Sequence, residues 1–95
     1  MNNPICKFME INNSNSIKKT AKNLIPHYTG TFSSSPTNFV EGVYPVYADH
    51  AKGCRFWDVD DNEFIDYLMG LGPITLGYNY GRINDAIINQ IKNGI

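Results

Sequence analysis

Residues 53–77, GCRFWDVDDNEFIDYLMGLGPITLG, constrain this chain more than any other stretch. Side-chain character alternates with a period of two on both sides of Asp60-Asp61-Asn62, the pattern of two extended segments joined by a tight turn. Cys54, Phe56 and Asp58 fall on one side of the first segment, and Arg55, Trp57 and Val59 on the other. Glu63-Phe64-Ile65-Asp66-Tyr67 runs back. Asp and Asn accept a positive φ more readily than other non-glycine residues, which suits them to the turn. Upstream, Val46, Ala48 and His50 alternate with Tyr47, Asp49 and Ala51, and Lys52-Gly53 supplies an earlier turn. The spacing predicts a three-stranded antiparallel meander. Trp57, Phe56, Phe64, Tyr67 and Tyr47 are expected to pack on this sheet. Residues 69–80 then form a glycine-punctuated crossover.

Two amphipathic helices flank the meander. Ile17, Ala21, Leu24 and Ile25 recur at i, i+4, i+7 and i+8, with Ser14 or Ser16 as the cap and Pro26 as the stop. After Gly81, Ile83, Ala86, Ile87 and Ile91 repeat the helical spacing, with Asn79 as the cap and Asn93-Gly94 as the end. Helices this short are marginal in isolation, so each has to dock on something. Residues 1–13 read as a loosely ordered leader, and residues 14–95 as the structured segment. Residues 27–42, HYTGTFSSSPTNFVEG, read as an extended loop anchored by Phe32 and Phe39. The fold class is α+β: an N-terminal helix, a three-stranded antiparallel meander and a C-terminal helix. An isoleucine left dangling at position 95 after three strands creates the expectation that the chain is a portion of something larger.

With 8 basic and 9 acidic residues, the formal charge of −1 argues against a nucleic-acid or anionic-membrane partner. Lys18, Lys19 and Lys22 cluster as on a solvated helix face. Cys6 and Cys54 share no metal or redox spacing and read as free thiols of a reducing compartment, so the location expected is cytoplasmic. The first residues show no signal-peptide pattern, and no window approaches the ~18 apolar residues of a membrane span.

Several chemical motifs fail on inspection. Asp58-Val59-Asp60-Asp61-Asn62 starts like a calcium loop, but Glu63 stands where its sixth-position glycine belongs and Met69 where its twelfth-position glutamate belongs. Gly70-Leu71-Gly72 lacks the third glycine of a dinucleotide fingerprint, since Thr75 falls there. Gly72 and Gly77 have phosphate-loop spacing but are followed by Tyr78-Asn79 instead of lysine and Ser/Thr. His27 and His50 have no partner at ligand spacing. Ser33, Ser34 and Ser35 lack a nucleophile elbow and read as loop hydroxyls able to donate to a carboxylate or phosphate.

Several longer stretches together resemble class III pyridoxal 5′-phosphate (PLP) aminotransferases, and specifically the glutamate-1-semialdehyde aminomutase-like branch. Leu24-Ile25-Pro26 is similar to the family's helix end before its substrate loop, and Thr31-Phe32-Ser33-Ser34-Ser35-Pro36 to its TFSxSP variant. Residues 53–67 follow G-x-x-x-W-D-V-D-G-N-x-[YF]-I-D-Y. Gly72-Pro73 with Leu76-Gly77-Tyr78-Asn79 follows G-P-x-x-L-G-H-x.

The resemblance implies part of the small domain of a fold-type I PLP transferase, completed by the rest of its own enzyme in a homodimer. It also implies a small-molecule amino donor and acceptor, and Ser34, Ser35, Gly70, Leu71 and Gly72 on the substrate side. The family's cofactor-holding residues lie downstream of the matched region, and none of Lys7, Lys18, Lys19, Lys22, Lys52 or Lys92 matches its Schiff-base lysine. The isolated chain is therefore expected to be inactive, with no catalytic or cofactor-binding residue of its own.

Three departures bear on the substrate. Asn38 stands in place of the carboxylate-pairing arginine, Gly70-Leu71 in place of a serine-tryptophan pair, and His27-Tyr28 where the family has two glycines. An amide cannot reproduce arginine's bidentate grip. A relative acting on another amino acid, keto acid or keto sugar is therefore expected. The rival reading is a free-standing α+β interaction module or a nonfunctional remnant.

Overall fold

The computed structural model describes residues 9–40, 43–44 and 47–94. Strands β1 (Ala48–Lys52), β2 (Arg55–Asp58) and β3 (Glu63–Ile65) form one antiparallel sheet in chain order. The meander read from the sequence is thus present, with β3 shorter than expected and Val46 outside the described residues. β1 does not alternate simply, however. Ala48 pairs with Asp58 and His50 with Trp57, so Asp49 is an extra residue that forms a β-bulge. Beyond it Ala51 pairs with Phe56, which returns Ala48 and Ala51 to one face and leaves His50 on the other. That first face continues through Phe56 stacked on Phe64, with ring centroids 5.0 Å apart. On the opposite face His50 stacks on Trp57 at 4.8 Å, and Arg55 pairs diagonally with Glu63. Tyr67, expected to pack on the sheet, is exposed.

The turn between β2 and β3 is built around a buried carboxyl group. Asp58 Oδ1 accepts from the backbone N–H of Asp60 at 2.9 Å and of Asn62 at 2.8 Å, while Oδ2 accepts from Asn62 Nδ2 at 2.9 Å. Asp61 takes the left-handed conformation, φ 62°, at the position where the resembled motif carries glycine. The same turn reaches back to the start of the chain. Asn62 Nδ2 also donates to Glu10 O at 2.7 Å, and Asn13 Nδ2 donates to Val59 O at 3.1 Å.

Helix α1 (Asn12–Leu24) begins inside the stretch expected to be leader, and neither Ser14 nor Ser16 caps it. Its first turn is satisfied by a side chain distant in sequence. Asp60 Oδ1 accepts from Asn13 N–H at 2.7 Å and Oδ2 from Ser14 N–H at 2.9 Å. A carboxylate bridging two orphan N–H groups at a helix N-terminus gains both hydrogen bonding and a favourable dipole interaction. Helix α2 (Gly81–Lys92) ends at Asn93-Gly94 as read, with Gly94 at φ 84°. Its cap position is Tyr80, not Asn79, whose side chain instead accepts from Asn84.

The segment expected as extended loop is instead a chain of single 3₁₀ turns at Pro26–Tyr28, Phe32–Ser34 and Pro36–Asn38. Two of them start with proline, which is pre-set for a first helical position. His27 and Tyr28 sit at φ 54° and 65°, the left-handed region that explains glycine at those two positions in the resembled family. The crossover repeats this at Met69, Gly70, Leu71 and Gly72, whose φ values are 52°, 60°, 63° and 116°.

Very little of this structure is covered. Among the described residues Ala21 and Pro36 are the buried apolar side chains, while Leu24, Ile83, Ile87, Ile88 and Ile91 remain exposed. The radius of gyration is 16.3 Å, against about 12 Å for a compact chain of this length.

Partial burial alone would raise the Asp60 pKa, but the N–H donors of Ser14 and Asn13 outweigh it and hold the carboxyl below its usual 3.8. A depressed folded pKa contributes stability that is complete above the ordinary value and lost as pH falls through the lowered one. Far-UV circular dichroism should therefore show α1 helicity falling over that acidic range. Asp60→Asn should start with less helix and lack that component of the titration.

Candidate functional site

One face of the sheet, the crossover and the Phe32–Ser34 turn enclose a cavity of about 320 Å³. Ala48, Ala51 and Phe56 form its apolar floor, and Asp66, Tyr78 and Tyr47 bring the polar groups. Ser34 and Gly70 lie on its rim, which brings together two residues that sequence reasoning placed on the substrate side from 36 positions apart. Ser35, Leu71 and Gly72 are not among the lining residues. Ser35 is fully buried, and its Oγ donates to His27 O at 2.9 Å, pairs with Thr37 Oγ1 at 2.8 Å and accepts from Thr37 N–H. That hydroxyl caps the Pro36–Asn38 turn and holds it to the Pro26–Tyr28 turn. Leu71 points to solvent, and Gly72 at φ 116° shapes the crossover.

The crossover is fastened by Asp66. Its Oδ1 accepts from the N–H groups of Leu68 at 2.8 Å and Met69 at 3.0 Å, and its Oδ2 accepts from Tyr78 Oη at 2.6 Å. The Tyr78 hydroxyl, opposed by burial but helped by the two N–H donors, holds the Asp66 carboxyl below its usual range. Reciprocally, the Asp66 hydrogen bond, then burial, push the Tyr78 phenol up to about 12. No motif announced this pair, because Asp66 and Tyr78 read only as a strand end and a glycine-loop residue. Gly53 and Tyr78 also exchange backbone hydrogen bonds at 2.9 and 2.8 Å. Gly77 makes that approach possible, since a Cβ on it would stand 2.8 Å from Gly53 O.

The arrangement suits binding of a small polar molecule against an apolar floor, with a hydroxyl and backbone at the rim. Among the described residues that line the cavity there is no lysine or arginine, so these supply neither a Schiff-base amine nor a cation for a phosphate dianion. These residues do not form a PLP cradle by themselves. Asp58 and Asp60, where a calcium loop would begin, have their oxygens engaged by internal N–H donors. His50 stacks on Trp57 and pairs with Asp49, and no group of three metal-ligating side chains occurs among the described residues. Cys54 is a free, exposed thiol, and Cys6 lies outside the described residues. No helix among the described residues is long and apolar enough to cross a membrane.

Known proteins resemble this chain in sequence and in fold. The chain is 47% identical over 85 residues to a 3-aminobutyryl-CoA aminotransferase of Cloacimonas acidaminovorans (strain Evry), covering 90% of this chain and 20% of that protein. The PLP internal aldimine form of the FumI protein of Sphingopyxis sp. MTA144 superposes with a TM-score of 0.70 at 29% identity, over 84% of this chain and 19% of that one. An omega-transaminase from Sphaerobacter thermophilus gives a TM-score of 0.71 at 20% identity over 97% of this chain and 18% of its own, a likeness of fold alone. No family model matches the chain. The chain spans about a fifth of the length of the proteins it matches.

Its helix, three-stranded sheet and helix are those of a small-domain portion of a fold-type I PLP enzyme. In sequence and fold the likeness is to PLP-dependent aminotransferases.

Two outcomes test the geometry. Gly53→Ala, at φ 59° with open space around it, should cost about 1 kcal/mol in urea unfolding from the left-handed backbone alone. Gly77→Ala adds a backbone collision at φ 83° and should cost about 2–4 kcal/mol. Spectrophotometric titration of the six tyrosines should show one phenol ionising last, near 12. Because that folded pKa is raised above 10.0, the pair's contribution persists below 10 and disappears as pH rises through about 12. Asp66→Asn should bring this phenol back towards 10.

Proposed function

We propose that this chain is the small-domain portion of a PLP-dependent aminotransferase of the glutamate-1-semialdehyde aminomutase-like branch. Its substrate is an amino or keto compound carried as an acyl thioester, not glutamate 1-semialdehyde. The observation that carries this reading is the 47% identity, over 85 residues, to a protein named for transamination of 3-aminobutyryl-CoA. Asn38 supports it independently. Its Nδ2 donates to Phe32 O at 2.8 Å, so the residue that replaces the carboxylate-pairing arginine serves the loop's own backbone. An acyl thioester has no free carboxylate on that carbon and requires no cationic clamp.

In this reading Ser34 Oγ and the backbone at Gly70 orient the substrate above the apolar floor, and Ser35, Leu71 and Gly72 set the shape of the two rim loops. PLP, when bound by the complete enzyme, supplies the electron sink that labilises bonds to the amino-bearing carbon. This chain's residues bind and orient the substrate and keep one side of the site dry. The exposed isoleucines of α2 and the apolar side chains of α1 are covered by the remainder of the enzyme, which works as a cytoplasmic homodimer. In this reading the chain alone is inactive, because none of its lysines stands where the resembled family carries its Schiff-base lysine.

The test is amino transfer by the protein expressed from its complete reading frame. With PLP present, it should move the amino group of 3-aminobutyryl-CoA to a 2-oxo acid and turn over free 3-aminobutyrate far more slowly. Isomerisation of glutamate 1-semialdehyde without thioester turnover would contradict the reading.

A further inference from the structure

We propose that Asp66 and Tyr78 are a substrate-positioning pair: the bond between them holds the backbone of Gly70 at the cavity rim, and the affinity of the site depends on it. The inference deepens the reading above, since it rests on the cavity between Ser34 and Gly70 being the substrate side of an aminotransferase.

The segment that carries Gly70 does not hold itself in place. Four successive residues, from Met69 to Gly72, take positive φ, and Met69 and Leu71 carry side chains that disfavour it. Such a turn persists when its surroundings over-determine it. Apolar packing contributes little to that, because Leu68, Leu71 and Leu76 are exposed. The hydrogen bonds from Leu71 N–H to Leu68 O and from Gly72 N–H to Met69 O lie within the turn, so they shape it without fixing it to the sheet.

Asp66 and Tyr78 make that attachment from the two ends of the segment. At the near end Asp66 N–H donates to Cys54 O at 2.8 Å, which ties the residue to the turn between β1 and β2. Its Oδ1 then takes the N–H groups of Leu68 and Met69, the two residues that precede Gly70. At the far end Tyr78 exchanges backbone bonds with Gly53, the neighbouring residue of the same turn. The 2.6 Å bond from Tyr78 Oη to Asp66 Oδ2 joins the two ends across 12 positions of sequence.

Asp66, Leu68, Gly70 and Tyr78 all line the cavity. Closing the loop thus fixes one wall of the site, and the Gly70 backbone with it. The bond lasts across the neutral range. The Asp66 hydrogen bond, then burial, push the Tyr78 phenol up to about 12, so it keeps the proton it donates. A contact at the rim is made alike by bound substrate and transition state, so its loss raises KM and leaves kcat.

The experiment is steady-state kinetics of the protein expressed from its complete reading frame. 3-Aminobutyryl-CoA and glutamate 1-semialdehyde are the alternative probes, with KM read on whichever the wild type turns over. Y78F removes the joining bond but leaves the ring and the backbone bridge to Gly53. It should raise KM about tenfold and keep kcat within about twofold of wild type. D66A cuts the same bond from the other side and also frees the Leu68 and Met69 N–H groups, so it should raise KM further; either variant carries the test. D66N keeps a carbonyl for those groups and an amide that donates to the phenol oxygen, so its KM should stay within about threefold of wild type. Amide exchange over residues 68–72 should quicken in Y78F while the β2–β3 ladder stays protected. Wild-type KM in Y78F and D66A, or a loss confined to kcat, would overturn the inference and leave the proposed function standing where the thioester is turned over. D66N as damaging as D66A would also overturn it. Turnover of glutamate 1-semialdehyde alone, with KM raised in Y78F, would overturn the thioester reading and uphold the pair. A protein that turns over neither probe would overturn both.

Discussion

The buried carboxyl group of Asp58 organises the turn on which the rest of this structure depends. Two backbone N–H groups and the Asn62 amide converge on it, which fixes the loop between β2 and β3 in one conformation. That conformation aims Asp60 at the first turn of α1 and Asn62 at the chain preceding it. Hydrogen bonds, not apolar burial, dock the N-terminal helix, and Ala21 is the buried apolar side chain that α1 contributes. A polar clasp suits a segment with so little interior: directional bonds to a rigid turn hold an orientation that a sparse apolar contact cannot.

From this clasp the geometry passes to the cavity. With α1 held at its start, the 3₁₀ turns that follow it are held at their other end by Ser35 bonded to His27. Ser34 then faces the sheet, where Asp66 and Tyr78 have tied down the crossover that presents Gly70. Left-handed residues recur on both loops, at His27, Tyr28, Met69 and Leu71. Each costs about 1–2 kcal/mol relative to an ordinary conformation, and such strain concentrates where a loop must present backbone to a ligand. The exposed apolar faces of α1 and α2 agree with a segment that spans about a fifth of the proteins it matches.

The sequence made some of this legible and concealed the rest for identifiable reasons. Strands β2 and β3 and the turn at Asp60-Asp61-Asn62 were readable because alternation and turn chemistry are local, and the structure puts the positive φ of that turn on Asp61. Helix α2 was readable from its isoleucines and from Asn93-Gly94. The cap of α1 was not, because its acceptor lies more than 40 residues away on Asp60. The bulge at Asp49 and the Asp66–Tyr78 pair were hidden for the same reason: each is a tertiary pairing with no local pattern. Residues 27–42 read as a plain loop because single 3₁₀ turns have no periodicity to detect. Ser34 and Gly70 came from likeness to a family, and the structure places them on one cavity. Ser35 came from the same likeness, but its hydroxyl is engaged within the loop.

Residue-resolved amide hydrogen exchange measures the clasp most directly. If Asp58 and Asp60 hold the helix as described, the N–H groups of Asn13, Ser14, Asp60 and Asn62 should exchange slowly and together, at the pace of the β2–β3 ladder. Rapid exchange at Asn13 and Ser14, with the ladder still protected, would show that the helix is held by something else.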